Sequence, residues 1–349
     1  MTSTQTIRAA VLGASGYTGA DLIRLAARHP NIEITALVAK AHAGQPLAKV
    51  YPHFASLDLP ALVTADEVDW DQVDVAFCGL PHGTAHSEIA KLPESTKVID
   101  MSADFRLRDL DTYAQWYGGE HGAPKLASGA VYGLTEHYRD DIEKARLVAC
   151  PGCYPTAVLL ALLPLAKSSL VAPNGVIVDA KSGASGAGRS LKQNILFSEV
   201  GEGLSPYGVG TQRHGPEIEQ ELGQAFQQSV VVNFTPHLVP MTRGELCTCY
   251  VPLTNGASAE NLHEALLAAY ADSPFVRVAE QGTIPATQHV RGSNYCHIGV
   301  FADRIPGRAI VISTIDNLVK GSAGQALQNF NVMFGFDETT ALEQLPLFP

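Results

Sequence analysis

Short apolar runs alternate with amphipathic stretches through the first 150 residues of the chain. Ile7–Leu12 is an apolar run of strand length, and residues 17–28 carry Leu22, Leu25 and Ala26 at helical spacing. Residues 32–40 predict a second strand, and residues 73–79, 97–101 and 147–150 predict three further short ones. Strand–helix–strand alternation with short connectors predicts a parallel, doubly wound α/β sheet. Residues 102–146 have weaker periodicity and read as loop mixed with short helix. After Cys150 the pattern changes. Residues 155–167 predict a strong helix with Pro155 at its first position. Longer β runs follow at 176–180, 230–234, 245–253, 297–303 and 309–316, parted by Gly- and Pro-rich turns, with one clear helix among them at 259–270. This predicts a second, α+β domain with a mixed sheet. The expected division is 1–149 and 150–317, with a last helix near 322–333 able to cover either part.

Composition narrows the function classes. With 349 residues, 46% hydrophobic and 17% charged, the chain has material for about two cored domains and is too apolar for intrinsic disorder. The richest apolar stretch, 157–166, is too short to span a bilayer and contains Pro164. Ahead of Gly13 there is no secretory pattern, so a cytoplasmic protein is expected. Lys and Arg total 24 against 35 for Asp and Glu, and the resulting net charge of −11 argues against nucleic acid or an anionic membrane as partner. Six cysteines in a chain of this length fit reduced thiols better than a disulfide framework.

Two segments carry chemistry. Gly13-Ala14-Ser15-Gly16-Tyr17-Thr18-Gly19 follows the first strand and opens the first helix, where glycines let the backbone approach a pyrophosphate and the helix start offers unpaired N–H groups. Elsewhere such a string is an ordinary tight turn; its position makes it a Rossmann-type dinucleotide signature. The second strand ends Leu37-Val38-Ala39-Lys40, without the acid that would hold a ribose 2′-OH, so NADP is expected over NAD. Lys40 is then a candidate for the 2′-phosphate, or a solvated surface lysine. The other segment is Cys150-Pro151-Gly152-Cys153-Tyr154-Pro155-Thr156, which sets Cys153 just ahead of a helix N-terminus, where the dipole favours a thiolate nucleophile. Three rivals stand beside that reading: a C-x-x-C redox pair, zinc ligation with Cys247 and Cys249, and inert buried thiols. The last is expected of Cys78, Cys150, Cys247, Cys249 and Cys296.

A cysteine nucleophile beside a nicotinamide points to aldehyde or acyl chemistry, which needs an acid/base and a cation for an anionic substrate. Arg213-His214-Gly215-Pro216-Glu217 clusters all three residue types before a helix expected near Glu217; Pro236-His237 with Arg243 competes, and spacing leaves both open. The small-residue run Ser182-Gly183-Ala184-Ser185-Gly186-Ala187-Gly188-Arg189 follows a strand and could bring backbone groups against a ligand.

With these motifs in order, and with Leu80-Pro81-His82-Gly83, Asp100-Met101-Ser102-Ala103-Asp104-Phe105-Arg106 and Asp316-Asn317-Leu318-Val319-Lys320-Gly321 added, the whole chain resembles the N-acetyl-gamma-glutamyl-phosphate reductases of arginine biosynthesis. The resemblance implies NADPH-dependent reduction of an acyl phosphate to a semialdehyde with release of phosphate. It implies Cys153 as the thioester-forming nucleophile and His214 as the acid/base, in preference to His237. For the cofactor it implies Gly13, Ser15, Gly16, Tyr17, Thr18, Gly19, Lys40 and Pro81, with Gly183, Ser185, Gly186 and Asn317 near the nicotinamide end. Arg106, Ser185, Arg213, Glu217, His237 and Arg243 are implied at the substrate. The family's fold would return the last segment, about 318–349, to the nucleotide domain, and the second domain would serve catalysis and oligomerisation in a homodimer or homotetramer. The chain departs from the family pattern once: the first histidine of the His-Arg-His-x-Pro-Glu-Ile segment is Gln212, which can hydrogen-bond but cannot titrate. The same chemistry on an N-acyl-aminoadipyl or aspartyl phosphate, and a non-catalytic NADP-binding module, are the alternatives.

Overall fold

The computed structural model describes residues 5–349, which fall into two compact units. One runs to Pro151 and takes in Ser322–Glu343; the other comprises Gly152–Gly321 with Gln344–Pro349. Residues 318–321 and the last six residues group with the second unit.

The first unit is built from β1 (Ile7–Leu12), α1 (Tyr17–Ala26), β2 (Ile32–Val38), β3 (Leu62–Val63), β4 (Val75–Cys78), α2 (Ala85–Ile89), β5 (Lys97–Asp100), α3 (Leu110–Tyr117), α4 (Pro124–Ala127), β6 (Val131–Tyr132), α5 (Thr135–Lys144) and β7 (Leu147–Ala149). Its seven strands run in the order β3-β2-β1-β4-β5-β7-β6, every pairing parallel. Strands buried on both faces read as apolar runs rather than alternations, which is why β1, β4 and β5 are legible in the sequence. The two-residue strands β3 and β6 carry no pattern long enough to read. The C-terminal helix, Gly324–Met333, is buried along its whole length in this unit. Its polar residues are tied down: Asn329 Nδ2 donates to the Gly133 carbonyl at 2.9 Å, Thr135 Oγ1 donates to Asn329 Oδ1 at 2.6 Å, and Asn331 Oδ1 meets His29 Nε2 at 2.8 Å. Buried amides cost free energy unless bonded in this way.

The second unit contains α6 (Cys153–Lys167), β8 (Ile177–Gly183), α7 (Phe197–Val200), β9 (Ser205–Pro206), α8 (Gly215–Phe226), β10 (Asn233–Val239), β11 (Glu245–Pro252), α9 (Ala259–Ala269), β12 (Val276–Val278), β13 (Cys296–Ala302) and β14 (Arg308–Ile315). Its sheet is mixed, in the order β12-β13-β14-β11-β8-β10-β9, with β8·β10 and β12·β13 parallel and the other pairs antiparallel. Helix α6 is apolar on all sides and buried from Tyr154 to Ala166. At roughly 1.5–3 kcal/mol for each fully buried Leu or Val, packing outweighs the cost of its internal Pro164. The carbonyl of Leu160, which Pro164 cannot serve, accepts instead from the Tyr270 hydroxyl at 2.6 Å. No helix among the described residues is long and apolar enough to cross a membrane.

Candidate active site

In the first unit, β1 lies between β2 and β4, so the chain connections diverge at the carboxyl end of β1, the place where doubly wound sheets bind ligands. Gly13 there has φ +84°, and a Cβ on it would lie 2.6 Å from the Gly79 carbonyl oxygen at the end of β4. A Cβ on Gly19 would lie 2.4 Å from the Gly13 oxygen. Both positions thus exclude side chains, and the turn lies flat against the strand ends. Helix α1 starts after Gly16 with no side chain capping it, leaving amide N–H groups for an anion. The Tyr51 hydroxyl donates to the Ser15 carbonyl at 2.9 Å, and the Ser322 hydroxyl donates to Thr18 Oγ1 at 3.3 Å, bracing the turn from two sides. Tyr17 is exposed on it. Lys40 is exposed at the first turn after β2, and Pro81 is exposed after β4. This cradle fits a dinucleotide pyrophosphate. A cavity of about 430 Å³ lined by Arg8, Asp74, Lys97 and Phe334 sits at the opposite, amino end of the same sheet. Two of its walls, Arg8 and Asp74, are ion-paired to each other.

Arg106 is buried in the first unit, with Nε donating to the Cys150 carbonyl at 2.8 Å and a terminal nitrogen donating to the Met101 carbonyl at 3.1 Å. Its guanidinium thus braces the end of the sheet, next to Cys150, whose thiol burial pushes up to about 12. Nearby, Asp104 accepts from the amides of Gly83 (2.8 Å) and His86 (3.2 Å) and from the Tyr113 hydroxyl (2.9 Å), which holds the Leu80-Pro81-His82-Gly83 loop in place.

In the second unit, Cys153 is the first residue of α6, not the residue before it, and Pro155 is third. Gly152 is the extended cap: its carbonyl accepts from the Thr156 amide at 2.9 Å and from the Thr156 hydroxyl at 2.9 Å. Proline is tolerated throughout a first turn because no intrahelical acceptor exists there. For the same reason no carbonyl of α6 can accept from the amides of Cys153 and Tyr154. Cys153 is half-buried, whereas Cys78, Cys150, Cys247, Cys249 and Cys296 are buried free thiols.

The groups around Cys153 come from distant segments. Glu217, only 1% exposed and in the first turn of α8, accepts from the Gly152 amide at 2.9 Å. His214 stands at the cap of α8, one turn before the place where the sequence expected the helix to begin. Gln212 holds it twice, accepting from the His214 amide and placing Nε2 3.3 Å from His214 Nδ1. An amide donor on Nδ1 leaves the proton of the neutral ring on Nε2. Tyr154 stacks edge-on against His214 with ring centroids 5.8 Å apart; its hydroxyl donates to the His237 carbonyl at 3.4 Å and accepts from Tyr207 at 3.2 Å. Gly321 backs onto the nucleophile, a Cβ there falling 2.8 Å from Cys153 Cβ.

The turn after β8 is seated on the 241–244 loop. The amides of Gly183, Ala184 and Ser185 donate to the carbonyls of Gly244, Met241 and Thr242, and a Cβ on Gly183 would meet the Thr242 oxygen at 2.8 Å. Asn317 ties both together, accepting from the Gly244 amide and donating to Ser185 Oγ, each at 2.9 Å. Gly186 is exposed in that turn, and Arg243 reaches the buried Asp316 at 3.4 Å. His237, on β10, donates from Nδ1 to the Ala180 carbonyl at 3.1 Å and faces Asp179 at 3.3 Å. Arg213 is exposed ahead of α8.

Two family models match the chain, the semialdehyde dehydrogenase NAD binding domain over residues 8–145 and the semialdehyde dehydrogenase dimerisation domain over residues 153–317. The N-acetyl-gamma-glutamyl-phosphate reductase of Rhodospirillum rubrum is 55% identical over 348 residues, which cover 98% of this chain and 99% of that one. The chain belongs to the N-acetyl-gamma-glutamyl-phosphate reductase family. A probable chloroplastic N-acetyl-gamma-glutamyl-phosphate reductase of Arabidopsis thaliana is 54% identical over 98% of this chain and 86% of its own length. Among solved structures, aspartate semialdehyde dehydrogenase with NADP from Candida albicans superposes with a TM-score of 0.73 at 17% identity, covering 94% of this chain and 99% of that one. Aspartate semialdehyde dehydrogenase II from Vibrio cholerae gives 0.71 at 16% identity over 95% and 99%.

Within this member of the N-acetyl-gamma-glutamyl-phosphate reductase family, the expected second-unit residues form two groups. Cys153, Glu217 and His214 gather around the start of α6, with Tyr154 joining them to His237, while Gly183, Ser185, Asn317 and Arg243 gather around the 241–244 loop. Sequence reasoning passed over Tyr154, Tyr207, Gly321 and Glu245. Glu245 had a readable signal: it is the one acid in phase with Cys247, Cys249 and Val251 on the buried face of β11.

Proposed function

We propose that the chain reduces N-acetyl-γ-glutamyl phosphate to N-acetylglutamate 5-semialdehyde with NADPH, releasing phosphate through a thioester on Cys153, as a step of arginine biosynthesis. The observation that carries this reading is Cys153 at the open start of α6, with Glu217 and Gln212-held His214 around it. The first unit is read as the cofactor domain, Gly13, Ser15, Gly16, Tyr17, Thr18 and Gly19 holding the pyrophosphate and Lys40 meeting the 2′-phosphate. Pro81, Gly183, Ser185, Gly186 and Asn317 complete the cofactor contacts. When bound, the cofactor supplies the hydride. Lys40 in place of an acid after β2 is the support for NADP over NAD.

The Cys153 sulfur forms a bond to the acyl carbon while the amides at the start of α6 hold the developing oxyanion, and the carbon–oxygen bond to phosphate breaks. After hydride addition the substrate remains on Cys153 as a thiohemiacetal. His214 assists through its Nε2–H, which donates to the oxyanion that hydride addition leaves on the carbon; as the carbonyl re-forms, the carbon–sulfur bond breaks and its electron pair returns to sulfur. Arg106, Arg213 and Arg243 are the cations for the anionic substrate, with Ser185, Glu217 and His237 lining its site. The second unit, matching a dimerisation domain, supports a homodimer or homotetramer, and a cytoplasmic location belongs to the same reading.

The test is phosphate-dependent reduction of NADP by N-acetylglutamate semialdehyde. Folded protein that makes no NADPH would overturn the reading, and activity confined to the aspartyl or aminoadipyl homologue would move the substrate. Cys153→Ser is expected to keep NADPH binding while kcat falls by roughly 10³-fold or more.

A further inference from the structure

Glu245 opens β11 opposite Ser182 of β8 on one side and Ile315 of β14 on the other, so it sits in the interior of the mixed sheet. It is fully buried, and neither carboxylate oxygen has a partner in good hydrogen-bond geometry among the described residues. An ionised carboxylate left so is strongly disfavoured, whereas a neutral carboxyl is not. The adjoining backbone is held firmly: Gly244, at φ +106°, donates its amide to Asn317 at 2.9 Å. The Cys153 thiol and the Ser182 hydroxyl are close enough to act on the carboxyl as hydrogen-bonding groups. The other titratable groups facing it are Tyr154 from α6, Tyr207, Cys247 from its own strand and Asp316 after β14. Asp316 is itself engaged by Arg243 and by the Gly292 amide at 2.7 Å.

Resting on the thioester chemistry proposed above, we infer that Glu245 is a further catalytic residue, a carboxylic acid that shares one proton with the Cys153 thiol. In the reacting pair the proton stays on the carboxyl and the sulfur is the thiolate, toward which the carboxyl O–H turns. Sulfur then forms its bond to the acyl carbon as phosphate leaves, and the carboxyl keeps its proton. When the carbon–sulfur bond breaks, the electron pair returns to sulfur and the same O–H stabilises it, so no proton is gained or lost at Glu245 over the cycle. Burial pushes the Glu245 carboxyl up to about 8, against the opposing pull of Cys153 and Ser182, so it is the neutral acid at pH 7. Two groups this close titrate as a pair, with two macroscopic steps.

The test is the pH profile of Cys153 alkylation by iodoacetamide in the intact wild-type enzyme, read by mass spectrometry of the Cys153 peptide. Two inflections are expected, the upper near or above pH 8; a single inflection would overturn the inference. In Glu245→Gln the upper inflection should vanish, NADPH affinity should be unchanged, and kcat should fall by roughly 10²-fold, the usual worth of one preorganised donor to a reacting charge. Glu245→Asp should restore the second inflection and part of kcat, which a purely structural role would not do. Wild-type kcat with two inflections retained in Glu245→Gln would equally refute it. Alkylation needs no substrate, so a failed semialdehyde assay alongside a two-step profile would overturn the functional reading alone.

Discussion

Replacing Gly321 by alanine adds one methyl group against the nucleophile. The new Cβ would lie 2.8 Å from Cys153 Cβ and 3.1 Å from Ile315 Cδ1. Saturated carbons rest about 3.5–4.0 Å apart, so the pair must open by about 1 Å. Gly321 cannot easily retreat, because its amide donates to the Asp316 carbonyl at 3.0 Å and Asp316 in turn caps the amides of Leu318 and Val319. Cys153 must therefore yield, although it is fixed at the first position of a helix buried from Tyr154 to Ala166. Overpacking of this kind costs about 1–3 kcal/mol, seen as a drop of a few degrees in Tm. A displacement of about 1 Å at a reacting atom costs about 10²-fold in rate. Steady-state kinetics with N-acetylglutamate semialdehyde should show kcat reduced by that order, while NADPH affinity changes far less, because the Gly13–Gly19 cradle is untouched. A Gly321→Ala enzyme with kcat within threefold of wild type and an unchanged rate of Cys153 alkylation would refute the reasoning.

Gly19→Ala would set a methyl 2.4 Å from the Gly13 oxygen and 2.9 Å from Ala14 Cα, both backbone atoms. It should weaken NADPH binding at least tenfold by fluorescence titration; unchanged affinity would remove the cradle from the cofactor site. A pH effect on stability follows from His29, which is 4% exposed and whose pKa burial lowers, against the opposing hydrogen bond to Asn331. The unfolded chain takes up that proton near pH 6.5 and the folded one only at lower pH, so stability present above about 6.5 is lost as pH falls toward the folded value. Burial lowers His121 and His297 in the same direction. Tm measured from pH 8 down to 5 should decline below about 6.5, less steeply in His29→Gln; equal slopes would show that His29 does not contribute.

The sequence by itself determined the doubly wound sheet and the mixed second sheet. Doubly buried strands leave uninterrupted apolar runs, and β11 leaves a strict alternation, Glu245, Cys247, Cys249 and Val251 inward. It also determined the glycine turn and singled out Cys153, because a backbone-only contact and a helix start are both local devices, written in consecutive residues. Tertiary structure decided what surrounds them. That Gly19 excludes a side chain depends on the Gly13 carbonyl, and that Gly13 does depends on β4, brought alongside by strand pairing. The role of Gln212 was undecidable from its inability to titrate, and becomes clear once its amide is found on His214 Nδ1. The start of α6 moved by two residues because a proline marks a first turn without saying which place in it is occupied. Glu217, Tyr154, Gly321 and Glu245 converge on Cys153 from α8, α6 itself, the segment after β14 and the first residue of β11. Such convergence is set by how helices and sheet pack, a long-range property that no local pattern of residues encodes.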